Sequence, residues 1–303
     1  MLSKHSLLDA PLSPGGRGVG GEGAARSRPQ SAVQRSVLAL FTALLVAVSP
    51  ALYGQTAETG VKVKKPRLML VPEATVNNAA ATQYTQLKQQ ASGKRVLNND
   101  SAETQRVRAI TERLVAHGGR YNEKARQWAW EVNVIDSPSI NAFCMPGGKI
   151  MVFTGIIDKL QLNNDELAAV IGHEIAHALL EHGRARVSES ILKNVGINLA
   201  AAYFGLSSIG ASALAQAAQL TITLPYGRGH EIDADLVGIE LAARSGFDPR
   251  AAVSVWKKMS QAASGQPPQF LSTHPGHATR IREIEANLPR VMPLYQAAQK
   301  TSR

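Results

Sequence analysis

The spacing of apolar positions changes period several times along this chain, and each change marks an element. Residues 80–91 and 101–116 repeat their apolar positions at helical spacing, and Val107, Ile110, Leu114 and Val115 form one stripe in the second. From Trp128 to Ile135 the period drops to two, with Trp128, Trp130, Val132 and Val134 on one face, which predicts a strand. Ser139–Met145 and Lys149–Phe153 predict two more, joined by a hairpin-like turn through Pro146-Gly147-Gly148. Helical spacing returns after Asn163. Asn163 and Glu166 are spaced as a capping box, and Leu167, Val170 and Ile171, then Ala178, Leu179 and Leu180, continue one apolar face. A break at Pro225-Tyr226-Gly227 precedes a helix opening at Glu231 and ending near Gly246. Asp248 as N-cap with Pro249 at the first helical position predicts the next helix, with Val253, Val255 and Trp256 as core contacts. Residues 265–268 read as a loop, and the His274-Pro275 turn leads into a final helix carrying Ile281, Ile284 and Leu288. The pattern is that of a mostly helical α+β domain with a small β-sheet flanking the helix that follows Asn163.

The first fifty residues follow none of these periods. Residues 11–31 are rich in Gly, Pro, Arg and Ser and predict disorder. Arg35, the twelve uncharged residues from Val37 to Val48, and Ser49-Pro50-Ala51 have the layout of a secretory signal peptide. The apolar run 37–48 is short for a membrane span, and an uncleaved anchor is the alternative. The expected division is residues 1–53 as disordered N-terminus plus signal peptide and 54–303 as one catalytic domain. Cys144 is the single cysteine, so the core forms without an intramolecular disulfide, and Cys144 itself reads as a small buried filler.

The 33 Lys and Arg against 23 Asp and Glu give a formal charge of +10. The basic residues are not interleaved with aromatics, and together with the implied export this argues against nucleic acid as a partner. Peripheral association with anionic lipid head groups stays open. Residues 194–227 carry no charged side chain; they predict helices packed over a cleft, with membrane insertion as the alternative.

Candidate chemistry sits in the helix after Asn163, where residues 173–177 read His-Glu-Ile-Ala-His. Positions four apart share a helix face, so His173 and His177 can grip one metal ion while Glu174 stands beside them as a base. The spacing is the HExxH signature of zinc hydrolases. The longer metzincin pattern is absent, since Leu180 and Gly183 occupy its Gly and third His positions, and His182 reads as a solvated or capping residue. The third ligand must come from elsewhere. Glu231 is the best candidate, and Asp235, four residues on, can accept the free N–H of a ligating histidine.

With these residues the chain resembles the M48 (Ste24/HtpX-like) zinc metallopeptidase family, most closely its soluble extracytoplasmic bacterial type. Matching stretches are Asn141-Ala142-Phe143 with Pro146-Gly147-Gly148, the 173–177 motif, Leu224-Pro225-Tyr226 through Asp235, Gly246-Phe247-Asp248-Pro249, and Ser272-Thr273-His274-Pro275 followed by Arg280-Ile281. Gly227 departs from the family's usual Ser, which is expected to alter a local hydrogen bond and leave the zinc site intact. The resemblance implies a zincin-type fold with one zinc ion per chain. It also implies a metalloendopeptidase that cleaves unfolded or misfolded proteins and peptides in the periplasm or otherwise outside the cytoplasm, with envelope protein quality control as the setting. A chaperone-like or latent binding protein on the same zinc fold is the alternative. Asn141, Ala142, Phe143, Cys144 and Met145 are the implied edge strand for substrate. His274, His230, Tyr226 and Arg280 remain unranked candidates for an oxyanion donor or fourth ligand.

Overall fold

The computed structural model describes residues 59–64, 69–190, 225–263, 268–275 and 278–301, all within one compact unit, Thr56–Arg303. The expected signal peptide, most of the uncharged stretch 194–227 and the loop 265–267 lie outside the described residues. In chain order the elements are α1 (Glu73–Gly93), α2 (Ser101–Val115), two short 3-10 turns (Gly118–Arg120 and Glu123–Gln127), β1 (Glu131–Ile135), β2 (Ala142–Met145) and β3 (Lys149–Phe153), followed by α3 (Thr154–Leu160), α4 (Asn164–Leu179), α5 (Arg228–Arg244), α6 (Ala251–Ala262), α7 (Gln269–Thr273) and α8 (Ala278–Thr301). A further helical run occupies 182–190. The architecture is α+β, mostly helical, as the periodicity predicts. Among the described residues no helix is long and apolar enough to cross a membrane.

The sheet has the order β1–β3–β2. β1 runs parallel to β3 from Glu131↔Lys149 to Ile135↔Phe153, and β2 runs antiparallel from Ala142↔Val152 to Met145↔Lys149. The β2–β3 hairpin turns at Gly147 and Gly148, with φ of 78° and 79°, a region that glycine enters freely. β1 starts three residues later than the alternation suggests. The N–H groups of Trp128 and Trp130 bond back to Ala125 and Trp128, which closes the 3-10 turn, and the indole of Trp130 also donates to Ala125 O at 2.9 Å. β2 likewise begins at Ala142 rather than Ser139. Ile140 O accepts the Phe270 N–H at 3.1 Å and Ser139 Oγ bonds Gln269, so those residues belong to the α7 junction instead of the ladder. Both faces of the sheet are covered. α1 places Ala80 and Tyr84 on Met145 and Met151, while Val134, Ile150 and Val152 join the main core with α2 and α4.

α4 carries the predicted capping box in full: Asn163 accepts from Glu166 N–H, and Glu166 returns to Asn163 N–H. The box starts a helix whose side chains are buried from Glu166 through Leu179. α5 packs across it so closely that a Cβ on Gly238 would meet the backbone N of His173 at 3.0 Å. This approach sets the first turns of α5 opposite the His173–His177 face. α5 starts at Arg228, three residues before Glu231, and Gly227 is its N-cap without a side-chain bond, which is the local consequence of lacking a Ser there. α6 begins at Ala251, two residues later than Asp248-Pro249 suggests. Asp248 instead accepts the N–H of Arg250 at 2.9 Å and orders the turn ahead of the helix. Val255 and Trp256 are buried as expected.

Candidate active site

His173 and His177 project from the middle of α4 with their Nε2 atoms 3.0 Å apart. Both rings are buried, and burial lowers both pKa values, that of His177 well below the ordinary range. The first turn of α5 brings Glu231 alongside, with Oε1 3.4 Å from His177 Nε2 and Oε2 3.8 Å from His173 Nε2. His274, at the end of α7, completes the group: one ligand atom from each of His173, His177, Glu231 and His274 lies within 4.8 Å of every other. The Thr273 hydroxyl donates to Phe270 O at 3.2 Å, so the 2.9 Å contact with His274 is best satisfied by an Nδ1–H donated to Thr273 Oγ1. That tautomer leaves His274 Nε2 as a lone pair.

The polar atoms of this cluster fit a cation. Glu231 Oε1, His274 Nε2 and Glu174 Oε1 are buried without a hydrogen-bond partner among the described residues. Each orphaned atom costs about 1–3 kcal/mol. A metal ion placed among these acceptors would remove much of that cost, and a donor set of imidazoles with one carboxylate suits a borderline-soft divalent ion.

Asp235 stands one turn beyond Glu231 and meets His173 Nδ1 with Oδ1 at 3.0 Å. Arg280, from α8, ties the two carboxylates together. Its Nε and Nη2 donate to Asp235 at 2.6 and 2.7 Å, and its Nη1 donates to Glu231 and to Pro275 O. The guanidinium is wholly buried and lies 3.7 Å from the Trp256 ring centroid. Its donors are therefore spent on the protein, which takes Arg280 out of the group of possible oxyanion donors. Burial pushes Glu231 up to about 8 against the pull of Arg280. At Asp235 burial also pushes upward, but the charge and hydrogen bonds of Arg280 outweigh it and bring the pKa down to about 2.

Glu174 is buried beside the cluster, and burial, reinforced by the Glu231 charge, raises its pKa well above the usual carboxylate range. The Cys144 N–H donates to its carboxylate. β2 is the edge strand beside α4, and that contact marks Cys144 as an outward-facing position on it. Ala142, Phe143, Cys144 and Met145 form the strand, whereas Asn141 precedes it and accepts the Phe153 N–H. Cys144 is buried and its thiol pKa is pushed well up by burial. A narrow cleft opens at this end of β2, between Cys144, Pro146, Trp128, His177, Glu181 and Tyr226, with room for little more than a water molecule. Tyr226 stacks on His177 with ring centroids 3.8 Å apart, and burial raises its hydroxyl to about 12, so it stays protonated at neutral pH.

His230 is not brought into the metal-ligand group; it stacks on His182 at 4.3 Å. The reading of His182 as solvated is overturned, since it is completely buried with Nδ1 3.0 Å from His177 Nδ1. The cause is local. α4 ends at Leu179, Glu181 turns the chain at φ 57°, and helix resumes at 182, so His182 does not sit where an unbroken helix would put it. Neither Glu181 nor its neighbours announce that turn, because the left-handed position lacks its usual glycine.

Residues 101–288 match the model of Peptidase family M48. The mitochondrial metalloendopeptidase OMA1 of Schizosaccharomyces pombe is 36% identical over 199 residues, covering 65% of this chain and 56% of the relative. The protein of that name in Arabidopsis thaliana is 36% identical over 176 residues, 56% of this chain and 34% of the relative. The beta-barrel assembly-enhancing protease of Escherichia coli K12 is 29% identical over 215 residues, 68% of this chain and 43% of the relative. The chain thus spans between about a third and just over half of the length of these relatives.

Proposed function

This chain belongs to peptidase family M48, and from that premise we propose that it is a zinc-dependent metalloendopeptidase acting on proteins or peptides outside the cytoplasm. The observation that carries the reading is the buried Glu174 carboxylate, whose Oε1 has no hydrogen-bond partner among the described residues, set between a four-residue ligand cluster and an open strand edge. His173, His177 and Glu231 would hold the ion. Zinc bound there supplies Lewis acidity, lowering the pKa of a water towards neutrality and polarising the scissile carbonyl.

The chain's own groups do the rest. The edge of β2 binds an extended substrate backbone through main-chain hydrogen bonds. Glu174, its basicity raised by burial, takes the proton from the attacking water and returns it to the leaving amine. Asp235 accepts the Nδ1–H of His173 and fixes that ring's orientation. The protonated Tyr226 hydroxyl is one donor candidate for the developing oxyanion, and His274 is the other. An edge strand that recognises backbone favours unfolded or misfolded polypeptides, and with the leader-like run 37–48 this supports envelope quality control in an exported protein, with peripheral membrane contact through the basic residues near Lys62 and Lys64. Metal analysis of the purified chain with a casein digest tests the reading. A chain that binds no zinc and cleaves nothing would leave the chaperone-like or latent alternative.

Two results bear on individual residues. Asp235→Ala is expected to lower zinc affinity by about 10–100-fold, as loss of a ligand's orienting partner does. Glu231→Ala should weaken it further, because two histidines alone make an incomplete site. Competition with a zinc chelator orders the two variants, and the reverse order would exchange their roles. His274 supplies the other result. Its Nε2 lies inside the ligand cluster, which supports a fourth ligand that closes the site and keeps the peptidase latent. His274→Ala is then expected to raise cleavage of unfolded casein, whereas a fall in kcat with unchanged zinc affinity would assign His274 to the oxyanion instead.

A further inference from the structure

His182 has no part in the chemistry above, yet its buried ring touches a proposed metal ligand. We propose that His182 is the positioning residue of His177: it accepts the Nδ1–H of His177 and so fixes the tautomer and ring rotation that present Nε2 to the metal. The inference rests on the reading of the cluster as a metal centre.

Two ring nitrogens 3.0 Å apart share one proton. The Nε2 of His177 faces the cluster, 3.0 Å from His173 Nε2 and 3.4 Å from Glu231 Oε1. A histidine that ligates through Nε2 is neutral and carries its proton on Nδ1. His177 is therefore the donor, His182 Nδ1 the acceptor, and the proton of His182 sits on its Nε2. That Nε2 is buried without a hydrogen-bond partner among the described residues. A residue present only to fill space would not carry this cost, since a phenyl ring occupies similar volume with nothing to satisfy. The pairing also makes the two histidines unlike. His173 is held by the carboxylate of Asp235, His177 by a neutral imidazole. One turn of α5 secures both sides of His177: Glu231 faces its Nε2, while the adjacent His230 stacks on His182 with planes 19° apart.

Chelator competition for zinc tests the proposal on the full chain as wild type, His182→Phe and His182→Asn. Phe keeps the stack on His230 and removes the acceptor; Asn keeps an acceptor oxygen near the Nδ1 position. His182→Phe is expected to bind zinc about 10–100-fold more weakly with unchanged helical circular dichroism, and His182→Asn to bind close to wild type. Wild-type affinity in the Phe variant overturns the proposal, and so does equal weakening in both variants. ¹⁵N spectra of the zinc-loaded wild type give the tautomers directly, whether or not a variant folds. His182 should read as Nε2–H and His177 as Nδ1–H, and the opposite assignment for His182 overturns the proposal. A wild-type chain that takes up no zinc overturns the metal-centre reading and this inference with it. Zinc uptake by wild type with matching affinity in the Phe variant overturns the inference alone.

Discussion

Glu174→Gln is expected to retain zinc and fold and to cut proteolysis by more than ~10²-fold. The substitution keeps the shape of the side chain, and the amide oxygen can still accept the Cys144 N–H that now reaches the carboxylate. What disappears is basicity. Glu174 Oε1 has no hydrogen-bond partner among the described residues and lies 3.4 Å from His274 Nε2, so it is the free acceptor facing the space where a water would be activated. A Gln amide cannot take the proton from that water or deliver it to the leaving amine. The ligand atoms of His173, His177 and Glu231 are untouched, so zinc content should match wild type. Metal analysis, circular dichroism and a casein digest on the same preparation check the three parts together. A variant with full zinc and most of its activity would remove Glu174 from the mechanism.

How far the sequence alone reaches can be seen residue by residue. His173, Glu174 and His177 were legible because helical spacing is local and the capping box at Asn163 and Glu166 fixes where that helix starts. Glu231 and Asp235 were legible for the same reason, one turn apart on one face. The β2–β3 hairpin follows from Gly147 and Gly148, whose positive φ is a local demand. Long-range geometry is what stayed hidden. That β2 ends the sheet beside α4 depends on β1 inserting parallel to β3, which no turn residue encodes. An unbroken helix through Glu181 puts His182 on the solvent side, and the turn at Glu181 is what buries it. Ser139 and Ile140 carry the residue pattern of a strand, and the bonds that hold them to α7 instead join residues about 130 positions apart. Arg280 reads from the sequence as a free donor, whereas its guanidinium is bonded to Asp235, Glu231 and Pro275 O. An arginine in a helix with apolar neighbours reads as a solvated side chain or a donor to substrate, and only the packing of α8 on α5 shows it enclosed between two carboxylates.

That enclosure makes Arg280→Met the substitution with the largest expected cost to stability, about 3–5 kcal/mol in the metal-free chain. Met matches the apolar stem of Arg and can keep contact with Trp256, so the loss reports on charge more than on volume. Without the guanidinium, Asp235 loses two hydrogen bonds and the charge that holds its pKa at about 2, and it stays buried with His173 as its remaining close partner. Glu231, already pushed up to about 8 by burial, loses the one group that pulls it down most. Asp235 must then protonate or remain as uncompensated buried charge, while Glu231 is driven further towards its neutral form and loses its bond to the guanidinium, and each change costs folding free energy. A cation in the cluster opposes the same charge, so zinc is expected to recover part of the loss. Denaturant unfolding with chelator and with added zinc measures both terms. The variant should show the lower midpoint under chelator and the larger gain on adding zinc. Equal midpoints for wild type and Arg280→Met under chelator would mean that the two carboxylates are already neutral in the folded chain and that Arg280 is held there by packing rather than by their charge.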